Sequence, residues 1–285
     1  MIPVNFDYES PSSLDDALGM LADGSAKVLA GGMSLIPSMK LRLSAPEKII
    51  DLGRINGLNS ITEAEGGIRI GAMATHHEVE SSRLLREKCP LLAEAASNIG
   101  DVQVRNMGTI GGSAAHADPA ADYPASLLAL EVKFEIRSAA GQRVVDAADF
   151  FVDTFTTALE PGELITEIHA PVEEPGTGVN YQKMVQPASG YAMVGIAVRI
   201  RRAGGKVTFA RVGVTGLSGK PYRAMHVENA ITGRAGNPAE IQAAAALVGQ
   251  DVESNSDIFA SAEYRMDMAR IYTARAIATA LARTA

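Results

Sequence analysis

Two glycine pairs are the residues of this sequence whose types and spacing could do chemistry. The first lies in AGGMSL (residues 30–35) and the second in GTIGGSAAH (residues 108–116). Each combines small residues with a hydroxyl, so successive backbone N–H groups can approach a phosphate where a Cβ atom would collide. Two such loops could hold a pyrophosphate from both sides. Because a glycine pair more often marks only a turn, the plain turn stays open as the alternative for each loop.

Histidines near the glycine pairs do not form a convincing metal site. His76 and His77 are adjacent and are predicted to lie on a strand, where neighbouring side chains point to opposite faces and cannot share one ion. His116 and Asp118 lack a visible third ligand, which favours a hydrogen-bonding role. We therefore predict no metal site in this chain.

Composition narrows the function further. A formal net charge of −7 over 285 residues disfavours a nucleic-acid binder, which neutralises phosphates with clustered Lys and Arg. The single cysteine, Cys89, cannot supply the several thiolates of an iron–sulfur cluster and is predicted to be a small buried residue. No apolar run approaches the ~20 residues of a spanning helix. Because the N-terminus also lacks a secretion signal, we expect a cytoplasmic protein, with peripheral membrane association left open.

The elements that must position the glycine pairs are both helices and strands. Apolar residues recur at helical spacing over residues 12–22, where Ser12 or Ser13 can cap the first turn, and a short buried strand leads into the first glycine pair. Residues 131–151 alternate apolar and polar side chains around a glycine turn, which is typical of a hairpin. Further segments are predicted as strands (48–53, 67–73, 164–172) and helices (90–99, 122–130).

A stretch with the composition of a linker, EEPGTGVN (residues 173–180), divides the chain. We place a domain boundary near residue 177. Beyond it, residues 190–218 predict two or three antiparallel strands with a tight Gly-Gly turn, and helices close the chain over 239–248 and 260–282. Strands followed by helices indicate the α+β class.

Several longer motifs resemble a known family. LAGGMSLIPSMKLRLSAPEKIIDLGRI (29–55) and IGDVQVRNMGTIGGSAAHADPAADYPASLLAL (99–130) are similar to the two FAD-binding loops of the medium, flavoprotein subunits of molybdenum hydroxylases, closest to those of aerobic carbon monoxide dehydrogenases. The similarity continues through IGAMATHHEV, PGELITEIHAP, YQKMVQPASGYAMVGIAV and SAEYRMDMARIYTARAI. It therefore covers essentially the whole chain in order.

The resemblance implies a fold with two parts. Residues 1–177 would form a two-subdomain FAD-binding domain of the PCMH or vanillyl-alcohol-oxidase type. Residues 178–285 would form a smaller α+β domain of the carbon monoxide dehydrogenase flavoprotein type, with an antiparallel sheet and helices.

The resemblance also implies which residues bind FAD. The loops would hold its pyrophosphate, with Ala30, Gly31, Gly32, Met33, Ser34 and Leu35 in the first loop and Thr109, Ile110, Gly111, Gly112 and Ser113 in the second. The ribose region would lie against Asp122, with Asp118 close by, and Thr75 would add a contact. Leu164 and Ile165 would line the adenine side, Lys183 would lie near the flavin, and Tyr191 would lie over the isoalloxazine.

Each of these assignments has a plainer alternative. Asp122 could cap a helix, Leu164, Ile165 and Tyr191 could be ordinary packing, and Lys183 could be a solvated surface lysine. Met33 stands where His or Gln is common in the family. Methionine has no nitrogen that could attach a flavin, so FAD binding is predicted to be noncovalent.

The implied function is electron transfer within a larger enzyme. A molybdopterin cofactor on a large partner subunit would oxidise the substrate, 2Fe–2S clusters on a small partner would relay electrons, and FAD on this chain would pass them to quinone or NAD. The assembly would be a dimer of heterotrimers, and no side chain of this chain need be catalytic. The alternatives are a self-sufficient FAD-dependent oxidase or dehydrogenase of a small organic substrate, a noncatalytic flavin-binding assembly protein, or the medium subunit of a nicotine, purine or aromatic hydroxylase.

Overall fold

The computed structural model describes residues 2–284, and its N-terminal part is a small parallel sheet. Strands β1 (Asp7–Glu9), β2 (Ala26–Leu29) and β3 (Lys48–Asp51) pair in the order β1-β3-β2. Helix α1 (Leu14–Leu21) lies between β1 and β2 and is capped by Ser13, whose Oγ accepts a hydrogen bond from Asp16 N at 3.1 Å. The first glycine pair connects β2 to helix α2 (Leu35–Lys40).

A five-stranded antiparallel sheet follows. Its strands, in spatial order, are β4 (Ile61–Ala64), β5 (Gly67–Gly71), β10 (Leu164–Ala170), β6 (Lys133–Ser138) and β7 (Gly141–Asp146). After β7 come the short helix α9 (Ala147–Phe150) and the two-stranded ribbon of β8 (Phe151–Asp153) and β9 (Thr156–Thr157). The predicted hairpin over 131–151 is the β6–β7 pair.

Six short helices join β5 to β6. They are α3 (His76–Ser81), α4 (Arg83–Lys88), α5 (Pro90–Ser97), α6 (Val102–Met107), α7 (Ile110–His116) and α8 (Tyr123–Ala129). Helices α5 and α8 are buried, and Leu91, Leu92 and Leu127 are fully inaccessible to solvent. The second glycine pair lies in the first turn of α7, which starts at Ile110 directly after the N-cap residue Thr109.

The C-terminal part is a four-stranded antiparallel sheet covered by helices. Strands β11 (Thr177–Val185), β12 (Ala192–Ala203), β13 (Lys206–Thr215) and β14 (Tyr222–Arg223) follow one another in space as in sequence. The helices are α10 (Met225–Ile231), α11 (Pro238–Ala245) and α12 (Ala262–Ala282). The α+β class predicted from the sequence is therefore confirmed.

Two local predictions were wrong. The second glycine pair was predicted as an open loop, but Thr109 Oγ1 accepts a hydrogen bond from Gly112 N at 3.1 Å and starts a helix there. His76 and His77 were predicted on a strand, but they begin α3, where Thr75 and Glu78 form a capping box. In both cases a Thr three residues before its hydrogen-bonding partner starts a helix that the apolar pattern did not reveal.

Helix α12, with 21 residues, is the longest helix within residues 2–284, and its buried residues, such as Ala269 and Ile277, pack in one hydrophobic cluster with strands β12 and β13. Across residues 2–284, no helix has both the length and the apolar character needed to cross a membrane.

Candidate functional site

The two glycine pairs meet in the folded chain. A Cβ atom on Gly31 would lie only 1.9 Å from Met107 O, and one on Gly112 would lie 3.6 Å from the Cβ of Ala30. Gly111 packs equally tightly, because a Cβ there would come within 2.5 Å of the Ala72 side chain. Glycine is therefore required at Gly31 and Gly111 by protein packing, whether or not a ligand is bound.

The first loop presents a row of unused hydrogen-bond donors. The backbone N–H groups of Gly31, Gly32, Met33, Ser34 and Leu35 have no acceptor among residues 2–284. Gly31 and Gly32 are themselves buried, and buried backbone N–H groups are nearly always satisfied in folded proteins. Consecutive N–H groups without partners form a concave site for an anion such as a phosphate. The residues of this loop fit a dinucleotide pyrophosphate.

The second loop contributes differently. The N–H groups of Ile110 and Gly111 donate to Ala74 O and Ala72 O at 2.9 Å each, and Ser113 N donates to Thr109 O. The N–H groups of this turn are thus committed to the protein. What remains for a ligand is the half-buried Ser113 side chain and a surface without Cβ atoms at Gly112.

Two carboxylates follow this helix in the segment before α8. Asp118 is half-buried, and its Oδ1 accepts a hydrogen bond from Ala120 N at 2.9 Å. Asp122 is buried: its Oδ1 accepts from the Tyr181 hydroxyl at 2.6 Å and its Oδ2 from Lys183 Nζ at 2.9 Å. Asp122 makes no side-chain cap for α8, so the helix-capping alternative is wrong.

Lys183 is not a surface lysine. Its side chain is 2% exposed, and besides Asp122 its Nζ donates to Asn98 O at 2.8 Å. Burial is the main reason why the pKa of Asp122 rises to about 6, although Lys183 and Tyr181 both favour the ionised form. The pair joins β11 to the N-terminus of α8.

Tyr191 completes the group. It ends the turn of residues 186–191, whose Gln186 Oε1 accepts hydrogen bonds from Ala188 N and Ser189 N. The Tyr191 side chain, 41% exposed, lies beside Ser34 and near Asp118, and burial of the phenol raises its pKa. The structure thus brings together the first loop, the second loop, both carboxylates, Lys183 and Tyr191.

Three other residues assigned to the site, Thr75, Leu164 and Ile165, make their contacts with other protein groups. Thr75 pairs with Thr109 as an isolated bridge, and its Oγ1 accepts from Glu78 N in the capping box. Leu164 and Ile165 are 6% and 7% exposed and pack into two different hydrophobic clusters on opposite faces of β10. The contact of Leu164 and Ile165 with the adenine stays a prediction. The burial of both side chains argues against it.

The three histidines near the glycine pairs, His76, His77 and His116, do not come together in the structure. His76 is buried against Tyr123 with ring centroids 5.3 Å apart, whereas His77 is exposed. Burial lowers the pKa of His76 to about 4. His116 packs on Phe155 with ring centroids 5.1 Å apart. Cys89 is buried as predicted, and burial raises the pKa of its thiol to about 12.

Potential metal ligands do converge at one place within residues 2–284. Glu135, Glu167 and His169 lie together on the five-stranded sheet, with ligand atoms within 4.8 Å of one another. Arg69 Nη1 already pairs with Glu167 at 2.7 Å and lies 3.9 Å from Glu135. This guanidinium supplies the positive charge that a metal ion would bring.

Sequence reasoning missed Tyr181 and Asn98. Tyr181 lies two residues before Lys183 on β11, and residues at this spacing share one face of a strand. That spacing could have suggested that both face Asp122. No local signal identifies the carbonyl of Asn98, because its partner lies 85 positions along the chain.

Two protein-family models together match nearly the whole chain. A family described as the FAD binding domain in molybdopterin dehydrogenase matches residues 4–173, and the CO dehydrogenase flavoprotein C-terminal domain matches residues 179–280. The glyceraldehyde dehydrogenase medium chain of Sulfolobus acidocaldarius is 39% identical over 97% of this chain and 98% of its own length. The carbon monoxide dehydrogenase medium chain of Hydrogenophaga pseudoflava is also 39% identical, over all of both chains.

A solved structure gives the same match in three dimensions. It is the carbon monoxide dehydrogenase from Hydrogenophaga pseudoflava that lacks the Mo-pyranopterin moiety of its cofactor, with a TM-score of 0.97 and 40% sequence identity. The match covers 100% of both chains.

Proposed function

The chain belongs to the FAD-binding medium subunits of the molybdenum hydroxylases, and from this premise we propose that it carries electrons from the 2Fe–2S clusters of a partner subunit through noncovalently bound FAD to an external acceptor. It is an oxidoreductase subunit whose relatives are the medium chains of multi-subunit enzymes. The large molybdopterin-binding and small iron–sulfur partners would assemble with it as a dimer of heterotrimers in the cytoplasm. Either quinone or NAD would serve as the acceptor.

The observation that carries this proposal is the row of N–H groups from Gly31 to Leu35. These donors have no acceptor among the residues that the structure describes, and two of them are on buried residues. A pyrophosphate would satisfy them, while the hydroxyl of Ser113 would add a donor from the second loop. Asp118 would accept hydrogen bonds from ribose hydroxyls, because one of its oxygens is engaged only by Ala120 N.

The remaining residues would orient the flavin. FAD, when bound, supplies chemistry that no side chain has, since it exchanges electrons one or two at a time. Tyr191 would lie over the ring system and limit solvent access, and Lys183 with Asp122 would hold strand β11 against the start of α8. Met33, 38% exposed at the tip of the first loop, offers no nitrogen for covalent attachment.

We assign the same two domains to the chain as the sequence suggested, residues 1–177 and 178–285. Strand β11 starts at Thr177, and the two family matches end and begin at residues 173 and 179.

The substrate of the assembled enzyme is a separate matter. A glyceraldehyde dehydrogenase chain and a carbon monoxide dehydrogenase chain are equally similar to this one, at 39% identity. Substrate choice therefore lies with the large partner. Among the candidates we favour carbon monoxide, because the structure of a carbon monoxide dehydrogenase superimposes with a TM-score of 0.97.

The test is to tag this chain in its native source and identify by mass spectrometry the proteins that copurify. We expect stoichiometric recovery of a large molybdopterin protein and a small cysteine-rich one, together with one FAD per chain. Assay of the purified complex with carbon monoxide and with glyceraldehyde then identifies the substrate. A yellow protein recovered without partners that oxidises a small organic donor would instead establish the self-sufficient flavoenzyme.

A further inference from the structure

The segment between helices α7 and α8 contains both carboxylates of the proposed site, Asp118 and Asp122. We call residues 117–122 the carboxylate segment; none of them belongs to a helix or strand. The segment starts at Ala117, whose φ of 48° lies in the left-handed region, where a residue with a side chain is held by its surroundings. The position of Asp118 is therefore set by the contacts of this segment with the rest of the protein.

The ends of strands β12 and β13 bind the backbone of the carboxylate segment. Ala192 N, at the start of β12, donates to Ala120 O at 3.1 Å. Gly216 N, directly after β13, donates to Pro119 O at 2.7 Å. These two hydrogen bonds attach the segment to the C-terminal sheet. Because both are backbone contacts, no side chain is responsible for them.

One buried side chain adds to these contacts. Thr215, the last residue of β13, is 1% exposed, and its Oγ1 donates to Pro119 O at 2.9 Å and to Ala121 O at 2.8 Å. A hydroxyl has a single proton, so the two carbonyls share it. Pro119 O also accepts from Gly216 N, whereas Ala121 O has no other donor within residues 2–284. The Thr215 hydroxyl thus holds two carbonyls that follow Asp118.

A single peptide group connects the Thr215 hydroxyl to the Asp118 carboxylate. Its carbonyl oxygen is Pro119 O, which accepts from Thr215 Oγ1. Its N–H belongs to Ala120 and donates to Asp118 Oδ1 at 2.9 Å. Because a peptide group is planar and rigid, a donor that fixes the carbonyl also fixes the direction of the N–H. Ala121 N adds a hydrogen bond to Asp118 O at 3.0 Å.

We propose that Thr215 is a positioning residue for the cofactor: its hydroxyl holds the Pro119–Ala120 peptide group, and this group orients the Asp118 carboxylate toward the ribose. The inference rests on the proposed function, in which Asp118 accepts hydrogen bonds from ribose hydroxyls. Hydrogen bonds weaken steeply as their angles depart from linear, so rotation of this peptide group would weaken those of Asp118. The C-terminal sheet thereby sets the affinity of the chain for FAD.

Removal of the Thr215 hydroxyl should weaken FAD binding. The test uses the full-length chain in the complex recovered from its native source, releases its FAD and titrates the cofactor back. We expect Thr215→Val to bind FAD about tenfold more weakly, because Ala121 O loses its donor and the peptide group is held less firmly. The visible circular dichroism of the rebound flavin, which reports its placement, should change as well.

Thr215→Ser is the rescue variant. It keeps the hydroxyl and should bind FAD within about twofold of the unaltered chain. Loss of packing alone would give the opposite order, because Val keeps the volume of Thr whereas Ser leaves a cavity. Thr208→Val, at an exposed position of the same strand, is the matched control and should leave FAD affinity and circular dichroism unchanged.

A double-mutant cycle shows whether Thr215 acts through Asp118. Asp118→Ala removes the ribose contact and should itself weaken FAD binding. Adding Thr215→Val to Asp118→Ala should then change the affinity by less than about twofold, because the carboxylate that Thr215 positions is already absent. If Thr215→Val does not fold, Thr215→Ala removes the same hydroxyl with a smaller side chain and completes the cycle.

Three outcomes overturn the proposal. They are unchanged FAD affinity in Thr215→Val, equal losses in Thr215→Ser and Thr215→Val, and an effect of Thr215→Val that is the same with and without the Asp118 carboxylate. If the unaltered chain binds no FAD, or if Asp118→Ala binds it as tightly, the proposed function or its ribose contact fails first. If Asp118→Ala weakens binding and Thr215→Val does not, only the positioning role of Thr215 is refuted.

Discussion

At the scale of single residues, burial decides what the titratable groups of this site do. His76 lies against Gly108, just before the second loop, and Asp122 lies at the start of α8; both are less than 6% exposed. The pKa of His76 is lowered to about 4 and that of Asp122 is raised to about 6, because burial disfavours the charged form of each. Their effects on stability therefore have opposite signs with pH.

His76 should make the fold sensitive to acid. The unfolded chain protonates this histidine below its ordinary pKa of 6.5, whereas the folded chain does so only below about 4. The contribution of the neutral ring is complete above pH 6.5 and is lost as the pH falls toward 4, by about 3 kcal/mol in total. We expect His76→Leu to lose about 3 kcal/mol less stability than the unaltered chain between pH 7 and pH 4, measured by urea unfolding. Parallel pH profiles for the two proteins would contradict this.

The Asp122–Lys183 pair should behave as a unit. At pH 8, above the pKa of Asp122, the carboxylate is ionised and pairs with Lys183, so Lys183→Met or Asp122→Asn leaves the buried partner uncompensated and should cost about 3–5 kcal/mol of unfolding free energy. The double variant should cost less than the sum of the two single variants. Because Asp122 gains a proton as the pH falls through about 6, the penalty of Lys183→Met should shrink at pH 5.

Denaturant unfolding of the four proteins at pH 8 and pH 5 measures this coupling. Lys206→Met, at the exposed first residue of β13, is the matched control and should change stability by no more than about 0.5 kcal/mol. Additive single-variant effects at pH 8 would show that the two side chains act independently.

At the scale of elements, each glycine pair allows two backbone segments to pack closely together. The first connects β2 to α2 and lies on the backbone of Met107 and Gly108, while the second lies in α7 against Ala72 at the end of β5. The first loop is thereby supported by the end of α6 and the second by the end of β5. A Cβ atom at either contact would separate the elements that form the site.

Gly31→Ala should move the first loop away from the backbone of Met107 and Gly108. Its methyl group would approach Met107 O to 1.9 Å, so we expect a loss of about 1–3 kcal/mol of stability and at least a tenfold weaker retention of FAD. Gly19→Ala in α1 is the matched control, because no atom lies within 4 Å of the added methyl. It should gain about 0.5–1 kcal/mol from helix propensity and leave FAD content unchanged. Full FAD occupancy in Gly31→Ala would disprove the role of this contact.

At the scale of the whole molecule, the two proposed domains share a hydrophobic core. Val179 and Tyr181 of β11 and Ala197 of β12 pack in the same cluster as Leu91 of α5 and Leu127 of α8. Polar contacts add to this interface, since Arg283 Nη1 donates to both Glu94 and the Val179 carbonyl. The C-terminal sheet is thus part of the support of the proposed flavin site.

The shared core predicts cooperative unfolding. We expect one calorimetric transition in which the calorimetric and van't Hoff enthalpies agree, with their ratio about 1. Loss of FAD absorbance should follow the same temperature curve, because the site lies where the two parts meet. Two separated transitions, with the flavin released in only one, would show that the parts fold independently.

The sequence by itself determined the local features and the family. Ser13 as a helix cap, the strand before Gly31, the hairpin over 131–151 and the buried Cys89 all depend on neighbouring residues, and the structure confirms them. The long motifs identified the family because many matching residues occur in order along the chain. Local chemistry is visible in a sequence because the interacting residues are close together in it.

Only the tertiary structure decided which groups remain available for a ligand or a partner. The N–H groups of Ile110 and Gly111 donate to the carbonyls of Ala74 and Ala72, while those of the first loop have no acceptor within residues 2–284. Lys183 is buried because Asp122, 61 positions away, folds against it, and Arg265 binds both Asp257 in the turn of residues 257–260 and Met193, 72 positions away. Burial and hydrogen-bond saturation depend on partners distant in sequence, so no local pattern could have revealed them.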